Sequence, residues 1–218
     1  MLSLYEELYL LALDEESGTI IPVAKKTISH GLAGAVLAEL SFSGKVASNE
    51  KHRLELRDAE PAEEGILSEA IQEIQKVEKP RKLVFWVSQF SERPKKIREQ
   101  IAESLVSKNV LYQDDKHFFR HAAITEEEQI SAPSKYEIKS ILRAIILFTR
   151  EADNRSIALL NLISACNLLN LVFTQDELAF AKRRISEELI RSALKEPQMQ
   201  TIEEIGQAVA ANLEDNGE

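Results

Sequence analysis

Residues 28–46 read ISHGLAGAVLAELSFSGKV, and this stretch decides the fold class. Four apolar side chains recur at helical spacing and form one stripe: Leu32, Val36, Leu37 and Leu40. Small residues between them leave room for a neighbouring helix at close range: Gly31, Ala33, Gly34, Ala35 and Ala38. Gly44 is well placed to end the helix, because glycine tolerates the left-handed backbone of a helix terminus. The stretch predicts a helix that is packed among other helices.

The rest of the chain repeats this pattern on both sides. Apolar periodicity predicts further helices over residues 3–13, 63–77, 83–90, 94–109, 134–150, 154–173, 175–194 and 201–213. Two hairpins are predicted, one turning at residues 48–51 and one over residues 110–124 that turns near Asp114 and Asp115. We therefore predict a mainly α fold, with a single compact helical domain over residues 1–213, small antiparallel β-hairpins and a frayed tail over residues 214–218.

Composition limits the classes of partner. The 218 residues include 36 acidic and 27 basic side chains, and the net charge of −9 argues against broad capture of nucleic acid or lipid. Any anion site must then be local. The start of the chain lacks the pattern of a signal peptide, and no segment has the roughly 18 uninterrupted apolar residues of a membrane span. The lone Cys166 lies among apolar residues, which predicts a buried thiol and fits a cytoplasmic location.

Signatures of catalysis are scarce. The chain has no glycine-rich phosphate loop, and its four histidines show no metal-ligand spacing. The adjacent acids Glu6 and Glu7 fall at a helix start, where we expect them to be exposed. We expect no catalytic residue, no metal and no cofactor.

A basic cluster begins the helix predicted over residues 94–109. Lys95 and Arg98 are three residues apart, so they are neighbours on one face, close to the free N–H groups of the first turn. A phosphate suits that position. The alternative is that both are solvated charges beside Glu92 and Glu99, and the residues alone leave it open.

Four separated motifs occur in the order found in one protein family. They are LSLYEELYLLALDEESGTI at residues 2–20, ISHGLAGAVLAELSFSGKV at 28–46, IREQIAESLVSKNVL at 97–111, and LLNLISACNLLNLVF at 159–173 with AKRRISEEL at 181–189. In these motifs the chain resembles the Golgi phosphoprotein 3 family over nearly its whole length.

The resemblance implies a compact helical protein that docks on the cytosolic face of Golgi membranes in eukaryotes. It implies recognition of the phosphatidylinositol 4-phosphate headgroup, insertion of an apolar hairpin into lipid, and binding of the cytosolic tails of glycosyltransferases. Members also occur in bacteria. The sequence begins directly at the domain, without the charged extension of eukaryotic members, which favours a prokaryotic homologue.

The resemblance carries over to the headgroup site only in part. A tryptophan and an arginine of the family's pocket correspond to Ala24 and Ala33, whereas its two arginines at a helix start correspond to Lys95 and Arg98. The predicted partner is therefore phosphatidylinositol 4-phosphate or another anionic lipid headgroup, held by a partly degenerate pocket.

Two roles remain open for the hairpin over residues 110–124. Phe118 and Phe119 are adjacent in a strand, so they point to opposite faces and one of them needs lipid or a partner. Acidic residues at the turn oppose insertion into an anionic membrane, which leaves self-association through the hairpin as the other role.

Two other functions are weighed against a membrane adaptor. A soluble protein-interaction scaffold is one. A winged-helix regulator is the other, and Glu99, Glu103 and the net charge of −9 oppose it, so we expect no nucleic-acid partner.

Overall fold

The computed structural model describes residues 1–14, 17–60, 62, 65–113, 119–121, 134–148 and 150–215. Within these residues the α-helices are α1 (Leu4–Ala12), α2 (Ile28–Phe42), α3 (Gly65–Gln75), α4 (Leu83–Ser91), α5 (Pro94–Ser107), α6 (Lys135–Leu147), α7 (Asn154–Ala165), α8 (Leu178–Lys195) and α9 (Pro197–Asp215). Short 3₁₀ turns occupy Pro22–Ala24, Leu169–Leu171 and Gln175–Glu177. The strands are β1 (Val46–Ser48), β2 (Arg53–Leu56), β3 (Arg81–Lys82), β4 (Leu111–Gln113) and β5 (Phe119–His121). The mainly α prediction is confirmed.

Helix α2 lies at the centre of the fold, as its sequence predicts. It packs against α1, α4, α7 and α9, and its residues from Gly31 to Ser41 are buried. The small side chains are required for this approach. A Cβ atom at Gly31 would lie 2.6 Å from the Sγ atom of Cys166, and one at Gly34 would lie 2.6 Å from a methyl group of Val209. Both distances are too short for real atoms, so the neighbouring helices sit directly on the α2 backbone.

Three helices end in the same way. The residue after the C-cap is left-handed in each case, with φ of +72° at Gly44 after α2, +57° at Asn109 after α5 and +56° at Asn167 after α7. The next amide N–H closes the turn onto a carbonyl five residues back, for example from Leu168 to Ile163 at 2.9 Å. The predicted ends at Gly44 and Asn109 are confirmed.

The predicted helix over residues 154–173 is wrong in its second half. It ends at Ala165, and a 3₁₀ turn, Leu169–Leu171, follows. Asparagine adopts the left-handed conformation less readily than glycine, so Asn167 is a weaker signal of a helix end. The apolar residues after it continue the helical pattern, and the sequence therefore does not show the break. Cys166 is fully buried beside this turn, and burial raises the pKa of its thiol to about 12. The prediction of a buried thiol is confirmed.

The first hairpin forms as expected and gains a third strand. β1 pairs with β2 so that Val46 faces Leu56 and Ser48 faces Leu54, both antiparallel. The Oδ1 atom of Asn49 accepts hydrogen bonds from the N–H groups of Lys51 and Arg53 and shapes the turn. β3 adds to the free edge of β2. The sequence did not predict β3, since a two-residue strand has no alternation to detect.

The second hairpin follows α5 directly. β4 and β5 are antiparallel, with Leu111 opposite His121 and Gln113 opposite Phe119. The predicted turn at Asp114 and Asp115 lies outside the described residues.

Candidate functional site

The start of α5 exposes backbone N–H groups. Pro94 occupies the first turn, where its fixed φ suits a helix start, and the side chain of the N-cap residue Arg93 does not cap the N–H groups of this turn. The early N–H groups of an α-helix have no partner within the helix, and they carry the positive end of its dipole. This end of α5 is therefore polarised to attract an anion.

Four basic side chains surround this helix start, and the fold divides them into two pairs. Arg93 pairs with Glu73 at 3.1 Å, and Lys96 pairs with Glu69 at 2.6 Å, so both contact α3. The Arg93 side chain is 61% exposed and that of Lys96 is 51% exposed, and the two pairs direct both cations toward α3. Lys95 and Arg98, the two positions predicted for a headgroup, make no contact of this kind.

Lys95 is free to contact a ligand. Its side chain is 87% exposed, and the carboxylate of Glu99, one helical turn on, lies 3.9 Å away. An exposed pair one helical turn apart contributes only about 0.3–0.5 kcal/mol, so a phosphate that approached the helix start would compete for the ammonium group with ease.

Arg98 is held more firmly. Its Nε atom donates a hydrogen bond to the carbonyl oxygen of Pro94 at 3.0 Å, and the side chain is half-buried. Among the described residues no carboxylate pairs with it. Burial raises the pKa of Tyr9 in α1, and the positive charge of Arg98 opposes that rise. The remaining guanidinium N–H groups are left to donate to an anion.

The two alanines at the other family positions are fully buried. Ala24 ends a 3₁₀ turn, and Ala33 lies in the middle of α2. Ala33 shares a helix face with Val36, three residues on, and Val36 lines a narrow crevice of about 40 Å³ with Lys96 and Ile97 of α5. Neither alanine offers a polar atom or exposed surface to a headgroup.

The predicted hairpin residues are only partly described. Phe118 lies outside the described residues, and for Phe119 the structure gives the strand position and its partner Gln113. Lys95 and the residue that leads into the hairpin, Ser107, are 12 residues apart on α5, which corresponds to about 18 Å. A headgroup at the helix start and a hairpin in lipid would therefore use opposite ends of one helix.

The expectation that Glu6 is exposed is wrong. Its side chain is completely buried and accepts hydrogen bonds from the backbone N–H of Ser3 at 2.8 Å and from Ser104 and Lys108 at 2.7 Å each. Burial acts to raise the pKa of Glu6, and these donors outweigh it and hold the pKa below its ordinary value. Glu6 thus joins α1 to α5.

A second, partly buried pair joins α1, α2 and α7. The guanidinium group of Arg155 donates to both carboxylate oxygens of Glu39, at 2.6 and 3.0 Å. Glu39 also accepts from the backbone N–H of Leu4 at 2.5 Å, and Arg155 stacks 5.7 Å from the ring centroid of Phe42. Sequence reasoning missed this pair, because nothing local distinguishes Glu39 or Arg155 from solvated charges.

Glu7 is half-buried between these two networks, and its pKa is raised to about 7. Burial is the main cause. The negative charges of Glu39, Asp153 and Glu6 add to the rise, and Arg155 opposes it. A carboxyl group with a pKa of about 7 changes its charge near neutral pH, unlike an ordinary glutamate.

Changing Glu7 to glutamine should make the protein less sensitive to alkaline pH. Because the folded-state pKa is raised, the folded state holds a proton that the unfolded state has lost, and stability falls as pH rises from about 4.5 through about 7. We expect Glu7→Gln to add about 1–2 kcal/mol more to the free energy of unfolding at pH 8 than at pH 5. This range is smaller than the full pKa shift would give, because the half-buried Glu7 is partly screened by solvent. Urea unfolding at both pH values measures this. The exposed Glu103→Gln is the control, and an equal effect of Glu7→Gln at both pH values would contradict the assignment.

Within the part of the chain that the structure describes, no group of three His, Cys, Asp or Glu side chains is placed to hold a metal ion. No described helix has both the length and the apolar character needed to cross a membrane.

Comparison with known proteins identifies the family. The family model for Golgi phosphoprotein 3 (GPP34) matches residues 4–214. A relative, the vacuolar protein sorting-associated protein 74 of Eremothecium gossypii, is 27% identical over an alignment that covers 54% of this chain. That alignment spans 41% of the relative, which is less than half its length. Since the family match includes almost every residue of the chain, the protein belongs to the Golgi phosphoprotein 3 (GPP34) family.

Proposed function

We propose that this protein is a non-catalytic adaptor that binds peripherally to the cytoplasmic face of a membrane. Its ligand is an anionic lipid headgroup, phosphatidylinositol 4-phosphate or one of similar charge. Family membership supports this function, and one observation carries it: of the four basic residues at the start of α5, only Lys95 and Arg98 lack an α3 carboxylate partner.

The chemistry of these two residues suits a phosphate monoester. Arg98 is anchored through its Nε atom, so its outer N–H groups are pre-oriented and donate to two phosphate oxygens. Lys95 is an exposed, mobile charge that adapts to the headgroup's orientation. The backbone N–H groups of the first turn of α5 complete the donor set.

The site is expected to bind weakly and to depend on salt. Ala24 and Ala33 add no donor, and the net charge of −9 opposes approach to an anionic surface. Each basic residue near an anionic bilayer contributes about 1 kcal/mol, and that contribution falls off within a Debye length of about 8 Å at physiological salt. Two such residues give a binding energy that moderate salt removes.

The test compares two double variants that remove the same charge. Lys95→Ala with Arg98→Ala removes the two cations that lack an α3 partner, whereas Arg93→Ala with Lys96→Ala removes the two that pair with α3 carboxylates. Co-sedimentation with phosphatidylcholine vesicles containing phosphatidylinositol 4-phosphate should fall roughly 10- to 30-fold for the first variant and less than about threefold for the second.

Vesicles with phosphatidylserine at matched charge separate a headgroup site from general attraction. Stronger binding to phosphatidylinositol 4-phosphate supports a specific site, and equal binding to both supports attraction to any anionic lipid. If the two double variants lose vesicle binding equally, or if neither loses it, the assignment of the site to Lys95 and Arg98 is wrong.

A further inference from the structure

A pocket opens where the first hairpin meets the start of α9. It has a volume of about 310 Å³ and lies between the end of α2, the strand β1 and the first turn of α9. Pockets of roughly 300 Å³ or more are large enough to hold a small molecule. None of the described residues that line it carries a carboxylate, although the chain has 36 acidic residues. The pocket therefore differs in charge from the acidic chain around it.

Two buried hydroxyl groups in this pocket have hydrogens that no protein group accepts. Ser41 is 2% exposed and Thr201 is 3% exposed, and both line the pocket. The Oγ1 atom of Thr201 accepts a hydrogen bond from the N–H of Ser48 at 3.1 Å, which leaves its own hydrogen to donate. The carbonyl oxygen of Ser41 accepts from the side chain of Gln198, but no described residue bonds to the Ser41 hydroxyl group. Both hydroxyl groups therefore require an acceptor that lies in the pocket itself.

Other groups around the pocket are also hydrogen-bond donors. Pro197 begins α9, and the N–H groups of a first helical turn attract anions, since they carry the positive end of the dipole. The side chain of Arg57 is 54% exposed, and its ion pair with Glu55 at 3.2 Å is of the weak, exposed kind for which a ligand can compete. The acid that precedes α9, Glu196, accepts a hydrogen bond from Asn154 at 2.6 Å, which holds its carboxylate at α7. The described lining thus offers donors and a cation without a competing acid.

We propose that this pocket binds a phosphate monoester. The ligand must supply acceptors, because the groups left without a partner are donors. A phosphate monoester presents three strong acceptor oxygens, and the planar guanidinium group of Arg57 donates to two of them. The hydroxyl groups of Ser41 and Thr201 and the first turn of α9 donate to the phosphate as well. A carboxylate has only two oxygen atoms, which suit this number of donors less well.

The pocket is separate from the proposed lipid site at the start of α5. No described residue of α5 lines it, so substitutions at Lys95 and Arg98 leave it intact. Phosphate monoesters occur in soluble metabolites and in lipid headgroups, and both present the same group to the pocket. Glycerol 3-phosphate and phosphatidic acid are matched probes of these two sources, since the headgroup of the lipid is the soluble molecule.

Titration of the isotopically labelled full chain with glycerol 3-phosphate, followed by amide NMR spectra, tests the soluble source. We expect saturable shifts at Ser48, Arg57, Gln198 and Gln200, with a dissociation constant of about 0.1–1 mM. The double variant Lys95→Ala with Arg98→Ala should give the same titration, so failure of the lipid site and failure of this pocket are distinguishable.

Two arginines of the same hairpin separate a specific contact from general charge. Arg57→Gln should weaken the binding of glycerol 3-phosphate at least about 10-fold, because it removes the cation of the pocket. Arg53→Gln removes the same charge from a side chain that donates to the carbonyl oxygen of Pro80 at 2.9 Å and does not line the pocket. That control should change the affinity less than about twofold, since salt screens the longer distance.

Ser41→Ala distinguishes a ligand-binding hydroxyl group from a structural one. The hydroxyl group has no partner among the described residues, so its removal should leave the melting temperature unchanged or slightly raised. The same variant should weaken glycerol 3-phosphate binding about three- to tenfold. If Ser41→Ala lowers the melting temperature and leaves binding unchanged, the hydroxyl group is structural and the proposal is wrong.

Co-sedimentation with phosphatidylcholine vesicles that contain phosphatidic acid tests the lipid source. If glycerol 3-phosphate gives no shift, and vesicle binding is lost in Arg57→Gln but kept in Arg53→Gln, the pocket binds the phosphate of a lipid. If neither probe binds, the proposal is overturned. It is also overturned if the two arginine variants weaken binding equally, or if acetate binds as tightly as glycerol 3-phosphate.

Discussion

Replacing Arg155 with alanine should lower the free energy of unfolding by about 2–4 kcal/mol, somewhat less than the cost of breaking a fully buried pair, because the Arg155 side chain is 32% exposed. The Glu39 side chain is 11% exposed and is held by Arg155 through two hydrogen bonds. Without the guanidinium group, the donor left to Glu39 among the described residues is the Leu4 N–H at the start of α1. The loss would therefore loosen the junction of α1, α2 and α7.

Urea unfolding at neutral pH measures the effect. Arg183→Ala is the matched control, because it breaks an exposed ion pair of 3.8 Å and should cost less than about 0.5 kcal/mol. Adding Glu39→Gln to Arg155→Ala should recover about 1–3 kcal/mol, since a neutral amide still accepts from Leu4 without a buried charge. A cost near that of the control would mean that Glu39 finds solvent or another donor when Arg155 is absent.

The helical framework was predictable because its signals are local. The stripe of α2, the small residues between its members and the helix ends at Gly44 and Asn109 all lie within a few residues of the structure that they specify. The prediction failed where the local signal was weak. The end of α7 depends on Asn167, a residue whose left-handed tendency is weaker than that of glycine, and the apolar residues after it continue the helical pattern.

The buried charges were not predictable, since their partners are distant in sequence. Glu6 meets Ser104 and Lys108 across 98 and 102 residues, and Glu39 meets Arg155 across 116. A single sequence gives no signal that these residues meet, and an acid at a helix start ordinarily faces water. The rule that such acids are exposed holds for most helix starts, but at Glu6 tertiary packing buries the side chain.

The candidate site shows the same division. The placement of Lys95 and Arg98 on the first turns of α5 follows from Pro94 and from spacing alone. That their neighbours Arg93 and Lys96 pair with carboxylates of α3 does not follow, because it depends on how the two helices cross. This pairing distinguishes Arg93 and Lys96, which contact α3, from Lys95 and Arg98, which do not. It also supplies the matched control for the vesicle experiment.

Changing Gly34 to valine should lower the free energy of unfolding by about 3 kcal/mol or more, and Gly34→Ala by about 2. The first added carbon would lie 2.6 Å from a methyl group of Val209 and 2.9 Å from one of Leu162. Val209 is β-branched and buried, so its side chain has few other rotamers to adopt. Alanine gains up to about 1 kcal/mol in helix propensity, and the clash exceeds that gain.

Gly65→Ala is the opposing control, because no atom lies within 4 Å of the added carbon at the start of α3. The same substitution should there be neutral or should stabilise by up to about 1 kcal/mol. Combining Gly34→Ala with Val209→Ala should recover part of the loss, since the second change removes the methyl group that the new carbon meets. If Gly34→Ala were instead as mild as Gly65→Ala, α2 and α9 could move apart at little cost, and the close packing on the α2 backbone would not determine the architecture.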